Sequence, residues 1–295
     1  MDGISVVMPA YRAESTITLS VASVILQTHQ NWELLIVSDD NADYEQILGR
    51  AGISDPRIRF LSTGTVHSGS PKARNLGIDA ASHRYSAILD ADDYMHPDKL
   101  AIALDKVKQY PIVSCALTLV DQQRRLLRTV GAGANTLLGS DVYKYTNYSS
   151  DSMLVYDRHK TDPRFDLELE CVTDVDFLLR LFQHCEVCYH IGTPLHWYVK
   201  RRSSVTNGAG ASERIIRCKK IILERLASGY YSLKRRGTRE HFEFFYNQSL
   251  AAEIDFSRSL ISHPSCMFED FIEAYLQPET FSRRGNEDMI ERVAA

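Results

Sequence analysis

The stretch YSAILDADDYMHPD places Asp90, Asp92 and Asp93 directly after the apolar run Tyr85–Leu89. Three negative charges within four residues repel one another, and a divalent cation or a cationic ligand among them offsets that cost. An acidic turn whose aspartates cap the helix opened by Pro97 is the other reading. Acid also collects at Asp39 and Asp40, after Trp32–Val37, where a carboxylate accepts from a base N–H or a ribose hydroxyl, or caps the next helix. Tyr11, just past Ile4–Met8 and Pro9, offers a ring to stack on a base or to pack on its own helix. Lys72 and Arg74 open a helical stretch, where cations oppose the helix dipole unless an anion faces them. A solvated pair of surface charges accounts for them equally well. Asp174 stands in the first turn of the helical run Thr173–His184, with Thr173 as a candidate cap, a position suited to a general base. Asp176, two residues on, reads as a partner of the helix dipole.

The elements that must position these groups alternate along the chain. Apolar runs at Ile4–Met8 (ended by Pro9), Trp32–Val37, Arg57–Leu61 and Tyr85–Leu89 predict strands, and the spacing predicts helices over 15–27, 44–50, 71–81 and 97–109. Four such alternations argue a largely parallel sheet covered by helices. Beyond them Ile112–Val120 and Arg124–Val130 read as antiparallel strands, Gly131–Tyr148 as loop, and Ser152–Tyr156, Glu186–His190 and His196–Val199 as further strands. The GAGANT of that loop lacks the GxGxxG spacing of a dinucleotide loop. His184, Cys185, Cys188 and His190 have no second CxxC to complete a zinc site and read as a strand leaving a helix. Lys200, Arg201 and Arg202 either bind phosphate or form a solvated basic turn. From Ala211 onward the pattern is helical, and the amphipathic, basic stretch Arg214–Leu223 is expected to pack its apolar side on the domain. The charged segment from Ser282 to Ala295 is expected to be poorly ordered.

Composition bounds the class. With 295 residues, 44% apolar and 24% charged, the chain is long enough for a large unstapled core. A net charge of -4 gives no sign of nucleic-acid binding. Six scattered cysteines read as reduced thiols and favour the cytoplasm. No apolar run is long enough to span a bilayer and the first residues lack a signal-peptide pattern, so any membrane association is expected to be peripheral, at the cytoplasmic face.

Taken in order, VVMPAYRAE, LLIVSDDN, KARNLGIDAA, YSAILDADD and TDVDFLLRL resemble family 2 glycosyltransferases over roughly the first 205 residues. The resemblance implies a GT-A-type, Rossmann-like α/β fold: a mostly parallel central sheet flanked by helices, with a C-terminal helical extension. Residues 1–109 would bind the nucleotide-sugar, 110–207 would carry the acceptor site and base within the same domain, and 208–295 would form the extension. It implies that Pro9, Tyr11, Asp39 and Asp40 hold the nucleotide base and that Lys72 and Arg74 lie against the nucleotide. Asp90 and Asp92 would contact ribose and metal, Asp92, Asp93 and His196 would ligate Mn²⁺ or Mg²⁺, and Asp174 would be the catalytic base. Thr173 stands where Glu is common, and SDDNAD replaces the more usual DDGS. The implied activity is metal-dependent, inverting transfer of a sugar from a nucleotide donor, a UDP-sugar first among them, to a glycan or lipid-linked saccharide. Polysaccharide, capsule or lipopolysaccharide assembly is the setting. Nucleotidyl transfer would need a glycine-rich loop after the first strand, which PAYRAE is not. A non-catalytic nucleotide-sugar-binding subunit of a glycan-assembly complex is the alternative from another class.

Overall fold

The computed structural model describes residues 2–148, 154–201, 211–263 and 266–275. The expected strand start at Ser152, Arg202 of the basic run and the charged end from Ser282 lie outside the described residues. The first half follows the predicted alternation: β1 (Ile4–Ala10), α1 (Ile17–Ile25), β2 (Trp32–Ser38), α2 (Tyr44–Arg50), β3 (Ile58–Ser62), α3 (Ser70–Ala80) and β4 (Tyr85–Ile88). Then come β5 (Tyr94–Met95), α4 (Lys99–Val107), β6 (Ile112–Val120), β7 (Leu126–Val130), β8 (Thr136–Gly139), α5 (Tyr143–Thr146), β9 (Val155–Asp157) and α6 (Arg158–Thr161). The remainder is α7 (Thr173–Phe182), β10 (Val187–Val199), α8 (Ala211–Ala227), α9 (Thr238–Ser259) and α10 (Phe268–Tyr275).

One sheet, in the order β3-β2-β1-β4-β9-β6-β10-β5, runs through both predicted halves. β3, β2, β1 and β4 are parallel neighbours. Antiparallel β9 lies between β4 and β6, so β6 and its parallel partner β10 point the same way as that block. Side chains alternate across the strands and divide the core in two. Ile4, Val6, Met8, Leu34 and Ile36 pack with α1 and α4 on one side. Val7, Leu35 and Ile88 pack with Phe177 and Leu181 of α7, Ile222 of α8 and Phe242 of α9 on the other. The C-terminal helices thus form part of the second layer, as the amphipathic stretch implied. Gly77 lets α3 lie flat on the sheet, since a Cβ there would stand 2.3 Å from Val7 Cγ1.

Four local expectations are corrected. β1 does not stop at Pro9 but continues to Ala10. Val7 O accepts from Leu89 N on the β4 side, so the N–H that Pro9 lacks would point to the same side, beyond the end of β4. The expected loop 131–148 contains β8 and α5. There Gly133 N donates to Gly192 O and Gly192 N to Asn135 Oδ1, both at 3.0 Å, which docks GAGANT on β10. The two short runs expected at 186–190 and 196–199 are one strand, β10, with a bulge around Pro194. Thr173 is the first helical residue of α7, and the cap is Val172 in the left-handed region.

Candidate active site

Because the main strands share a direction, the ends of β1, β2, β4, β6 and β10 deliver their following residues to one edge of the sheet. Open α/β sheets bind ligands at such an edge. Asp40 stands there as a knot. Its carboxylate accepts from the backbone N–H of Arg12 and Ala42, the hydroxyl of Ser38 and the phenol of Tyr44. Burial alone would raise its pKa, but these donors together hold it below the ordinary carboxylate value. Four donors fill the roughly four lone-pair sites of a carboxylate. Asp39 is buried and turned under the β3–α3 loop, accepting from Thr63 Oγ1 at 2.8 Å, Ser68 N at 3.1 Å and Gly69 N at 2.9 Å. The expectation that Asp39 and Asp40 offer open carboxylates to a base is corrected: both are spent on shaping the loops. Pro9 lies within β1 beside them. Above them the Tyr11 ring, 36% exposed, stacks on His67 with centroids 5.1 Å apart. Lys72 is exposed and reaches Thr65 Oγ1 of the loop that carries His67, at 3.1 Å.

Arg74 ties this edge of the sheet to the start of α7. Its Nη2 donates to Asp90 Oδ1 at 2.7 Å and its Nη1 to Thr173 Oγ1 at 3.4 Å. Asp174, partly exposed and electrostatically coupled to Arg74, follows Thr173 in the first turn of α7. Arg74 is held from below, with its guanidinium 5.0 Å from the centre of the Phe165 ring, which itself stacks on Phe177 at 4.2 Å. Asn75 pins Phe165 by two reciprocal hydrogen bonds, Nδ2 to Phe165 O at 2.9 Å and Phe165 N to Oδ1 at 2.8 Å. The cations that oppose the dipole of α3 therefore have a reason: Arg74 is there for Asp90.

Asp92 faces Arg201, Nη1 to Oδ2 at 3.7 Å, and is pushed up to about 6 by burial and by the charge of Asp90. A buried carboxylate crowded by a second one gains from a nearby cation, which relieves both the burial and the repulsion. Asp93 and His196 go the other way. Nearly without exposure, they pair at 3.1 Å through His196 Nε2, while His196 Nδ1 meets Lys99 Nζ at 3.0 Å and Asp93 Oδ1 accepts from Val199 N at 2.8 Å. Burial first, then Lys99, pushes His196 below its ordinary value, and burial, then Asp92 and Asp90, pushes Asp93 up. Both ring nitrogens of His196 are engaged by neighbours within the protein, and Asp93 braces the turn from within. That corrects the expectation that these two residues are ligands. Among the described residues no three His, Cys, Asp or Glu side chains converge as a protein-only metal cage would. Asp92, with Asp90 beside it, fits the other common mode, in which one or two carboxylates hold a hard cation together with substrate phosphates.

Two participants escape sequence reasoning. His67 lies in a polar loop with no periodicity, at φ 60, and only the fold brings it onto Tyr11. Asp176 is no mere dipole partner: fully buried, it accepts from Arg180 Nε at 2.6 Å, Arg225 Nη1 at 3.0 Å and Tyr231 OH at 2.6 Å, anchoring α7 to the C-terminal helices. The signal for it was long-range. His190 is satisfied by Ser114 Oγ at 2.8 Å and Gly131 O at 2.7 Å, in keeping with the reading of HCEVCYH as structural.

Comparison with known proteins places this edge in context. The model of the family described as glycosyl transferase family 2 matches residues 5–159, more than half of the chain. Among curated relatives, UDP-Glc:alpha-D-GlcNAc-diphosphoundecaprenol beta-1,3-glucosyltransferase WfgD of Escherichia coli is 41% identical over 101 residues, 34% of this chain and 39% of that protein. Succinoglycan biosynthesis protein ExoO of Rhizobium meliloti is 35% identical over 103 residues, 35% of this chain and 29% of that one. The match thus spans less than half the length of either relative. Among solved structures, S. aureus TarS 1–349 in complex with UDP-GlcNAc superposes with a TM-score of 0.68 at 16% identity, covering 92% of this chain and 77% of that one. The fold is the GT-A type expected, and with the family pattern running from β1 past the Asp90–Asp92 turn, the chain belongs to glycosyl transferase family 2.

Proposed function

We propose that this chain transfers a sugar from a nucleoside-diphosphate donor, most simply a UDP-sugar, to a hydroxyl of a lipid-linked or glycan acceptor in polysaccharide assembly, with inversion at the anomeric carbon. The observation that carries the reading is the Arg74 bridge, which holds Asp90 and the residue preceding Asp174 on one guanidinium. A donor diphosphate at Asp90–Asp92 would then lie beside a carboxylate at a helix start. The name of WfgD gives it a UDP-sugar and a lipid-diphosphate acceptor, and TarS has been solved with UDP-GlcNAc; both support the donor class.

Each residue then has a task. Tyr11 and His67 wall the base, and Asp39 and Asp40 hold the loops that present them. Lys72 and Arg74 offer positive charge on the nucleotide side, and Asp90 faces the ribose. Asp92 would hold Mn²⁺ or Mg²⁺, which when bound neutralises charge developing on the leaving diphosphate. Asp174 accepts the proton of the acceptor hydroxyl as its oxygen attacks the anomeric carbon and the bond to the nucleoside diphosphate breaks on the opposite face. A single displacement of this kind inverts the centre. General base catalysis is worth about 10²–10⁴-fold. Incubating the purified chain with UDP-sugars and a lipid-linked diphosphate-sugar acceptor should release UDP and give product of inverted configuration by NMR. Asp174→Asn should lower turnover at least about 10²-fold. Wild-type turnover by that variant, or retained configuration, would overturn the mechanism. No transfer with any donor would favour the non-catalytic nucleotide-sugar-binding subunit.

A further inference from the structure

The last described helix, α10, brings three acids back to the edge of the sheet that carries the site. Asp270 and Glu273 receive Arg128 of β7 at 2.8 and 3.3 Å, and Glu273 also accepts from Tyr148. Glu269 does something different. Its carboxylate, 2% exposed, meets Lys200 Nζ at 2.6 Å, at the point where β10 ends. The backbone is fixed on both sides of that contact: Val199 N donates to Asp93 Oδ1 and Lys200 N to Val120 O, each at 2.8 Å. The next residue is Arg201, the cation facing Asp92 at 3.7 Å. The partly buried ring of Tyr198 feels the charges of Asp93, Glu269, Asp92 and Asp90 together and has the Lys200 ammonium 5.6 Å from its centre.

Two cations therefore arrive side by side at a turn that needs one. A buried ion pair contributes little net stability once desolvation is counted, but it does fix which groups face one another. Glu269 draws the ammonium of Lys200 to the α10 side, which leaves the guanidinium of Arg201 opposite Asp92. A guanidinium presents a planar fork that matches phosphate oxygens, whereas an ammonium is a mobile point charge.

We propose that Glu269 is a positioning residue for the diphosphate end of the donor site: by holding Lys200 it directs Arg201, beside Asp92, to the phosphates of a nucleoside diphosphate. This rests on the donor-site reading above. The role belongs to α10 of this chain and gives the C-terminal extension a part in donor binding.

The test is calorimetric titration of UDP in the presence of Mn²⁺ into the full chain and its variants, with thermal melting as the check on folding. Glu269→Gln should weaken UDP binding about tenfold, and Lys200→Met by a similar factor. The double variant should lose no more than either single one, because both act through one contact. Glu269→Asp, which keeps the charge, should recover most of the affinity, and Lys200→Met, which breaks the same contact from the other side, serves in place of Glu269→Gln if that variant fails to fold. Asp270→Asn loosens α10 from Arg128 without touching Lys200 and should change UDP affinity less than twofold. Wild-type binding that Glu269→Gln leaves intact, or equal losses in Glu269→Gln and Asp270→Asn, would overturn the positioning role alone. Failure of the wild-type chain to bind UDP or any other nucleoside diphosphate would overturn the donor-site reading and this proposal with it.

Discussion

Arg74 donates to Asp90 at 2.7 Å from a side chain only 8% exposed, while Asp90 keeps 27% of its own surface open. The buried partner is thus the cation, and the carboxylate it steadies still faces the ligand edge. Replacing Arg74 with Met removes the charge from beneath Asp90. A broken buried pair costs ~3–5 kcal/mol, and the exposure of Asp90 discounts that to about 1–3 kcal/mol. Arg74→Lys should keep most of the stability but cannot serve Asp90 and Thr173 together, and a misplacement of this order can cost about 10²-fold in turnover. Melting curves and donor turnover measured on both variants check the split.

The inward pairing of Asp93 and His196 predicts that His196→Gln behaves as a stability variant. Disturbing a buried hydrogen-bonded group costs about 1–3 kcal/mol, which would appear as a lower melting temperature. The Mn²⁺ concentration needed for half-maximal UDP binding should stay within about threefold of wild type, whereas disturbing a metal site costs about 10–100-fold. A shift of that larger size would restore His196 to the metal site.

Acid should act on the knot at Asp40. Its folded pKa lies below the ordinary value because its hydrogen bonds outweigh burial, so its contribution to stability is complete above the ordinary carboxylate pKa, about 3.9. That contribution is lost as pH falls through the lower, folded value. The melting-temperature gap between wild type and Asp40→Asn should therefore be widest near neutrality and close on acidification. A gap that widens on acidification would reverse the assigned direction.

Gly77→Ala tests how closely α3 lies on the sheet. With 2.3 Å between the new methyl and Val7 Cγ1, something must shift, and overpacking typically costs about 1–3 kcal/mol. The melting temperature should fall while α3 still forms, since Ala is the better helix residue.

What the sequence makes legible follows from how local the physics is. β2 and β6 are buried along most of their length, and so read as predominantly apolar runs rather than as an alternation. The acids after β4 announce themselves because their mutual repulsion is evident within four residues. Asp39, Asp93 and His196 are of the right types in the right places. Which way each points depends on partners 24 to 106 positions away, Thr63, Val199 and Asp93 among them. No local pattern encodes that. The same holds for His67, and for Asp176, whose partners Arg225 and Tyr231 lie in and just beyond α8. β8 escaped because its pairing is entirely with β10, some fifty residues on, and its exposed Thr136 and Leu137 show no alternation.

The most direct test of the central claim is a thermal-shift panel of UDP, GDP, TDP and CDP, each with and without Mn²⁺. A ligand at 100 times its Kd adds about 2.7 kcal/mol of stability, enough for a shift of roughly 4 °C in a chain of this size. UDP with Mn²⁺ should produce that shift, UDP alone much less, and Asp92→Ala should abolish the metal-dependent part. No shift with any nucleotide, or a UDP shift indifferent to both Mn²⁺ and Asp92, would contradict a metal-dependent nucleotide-sugar site at the Asp90–Asp92 turn.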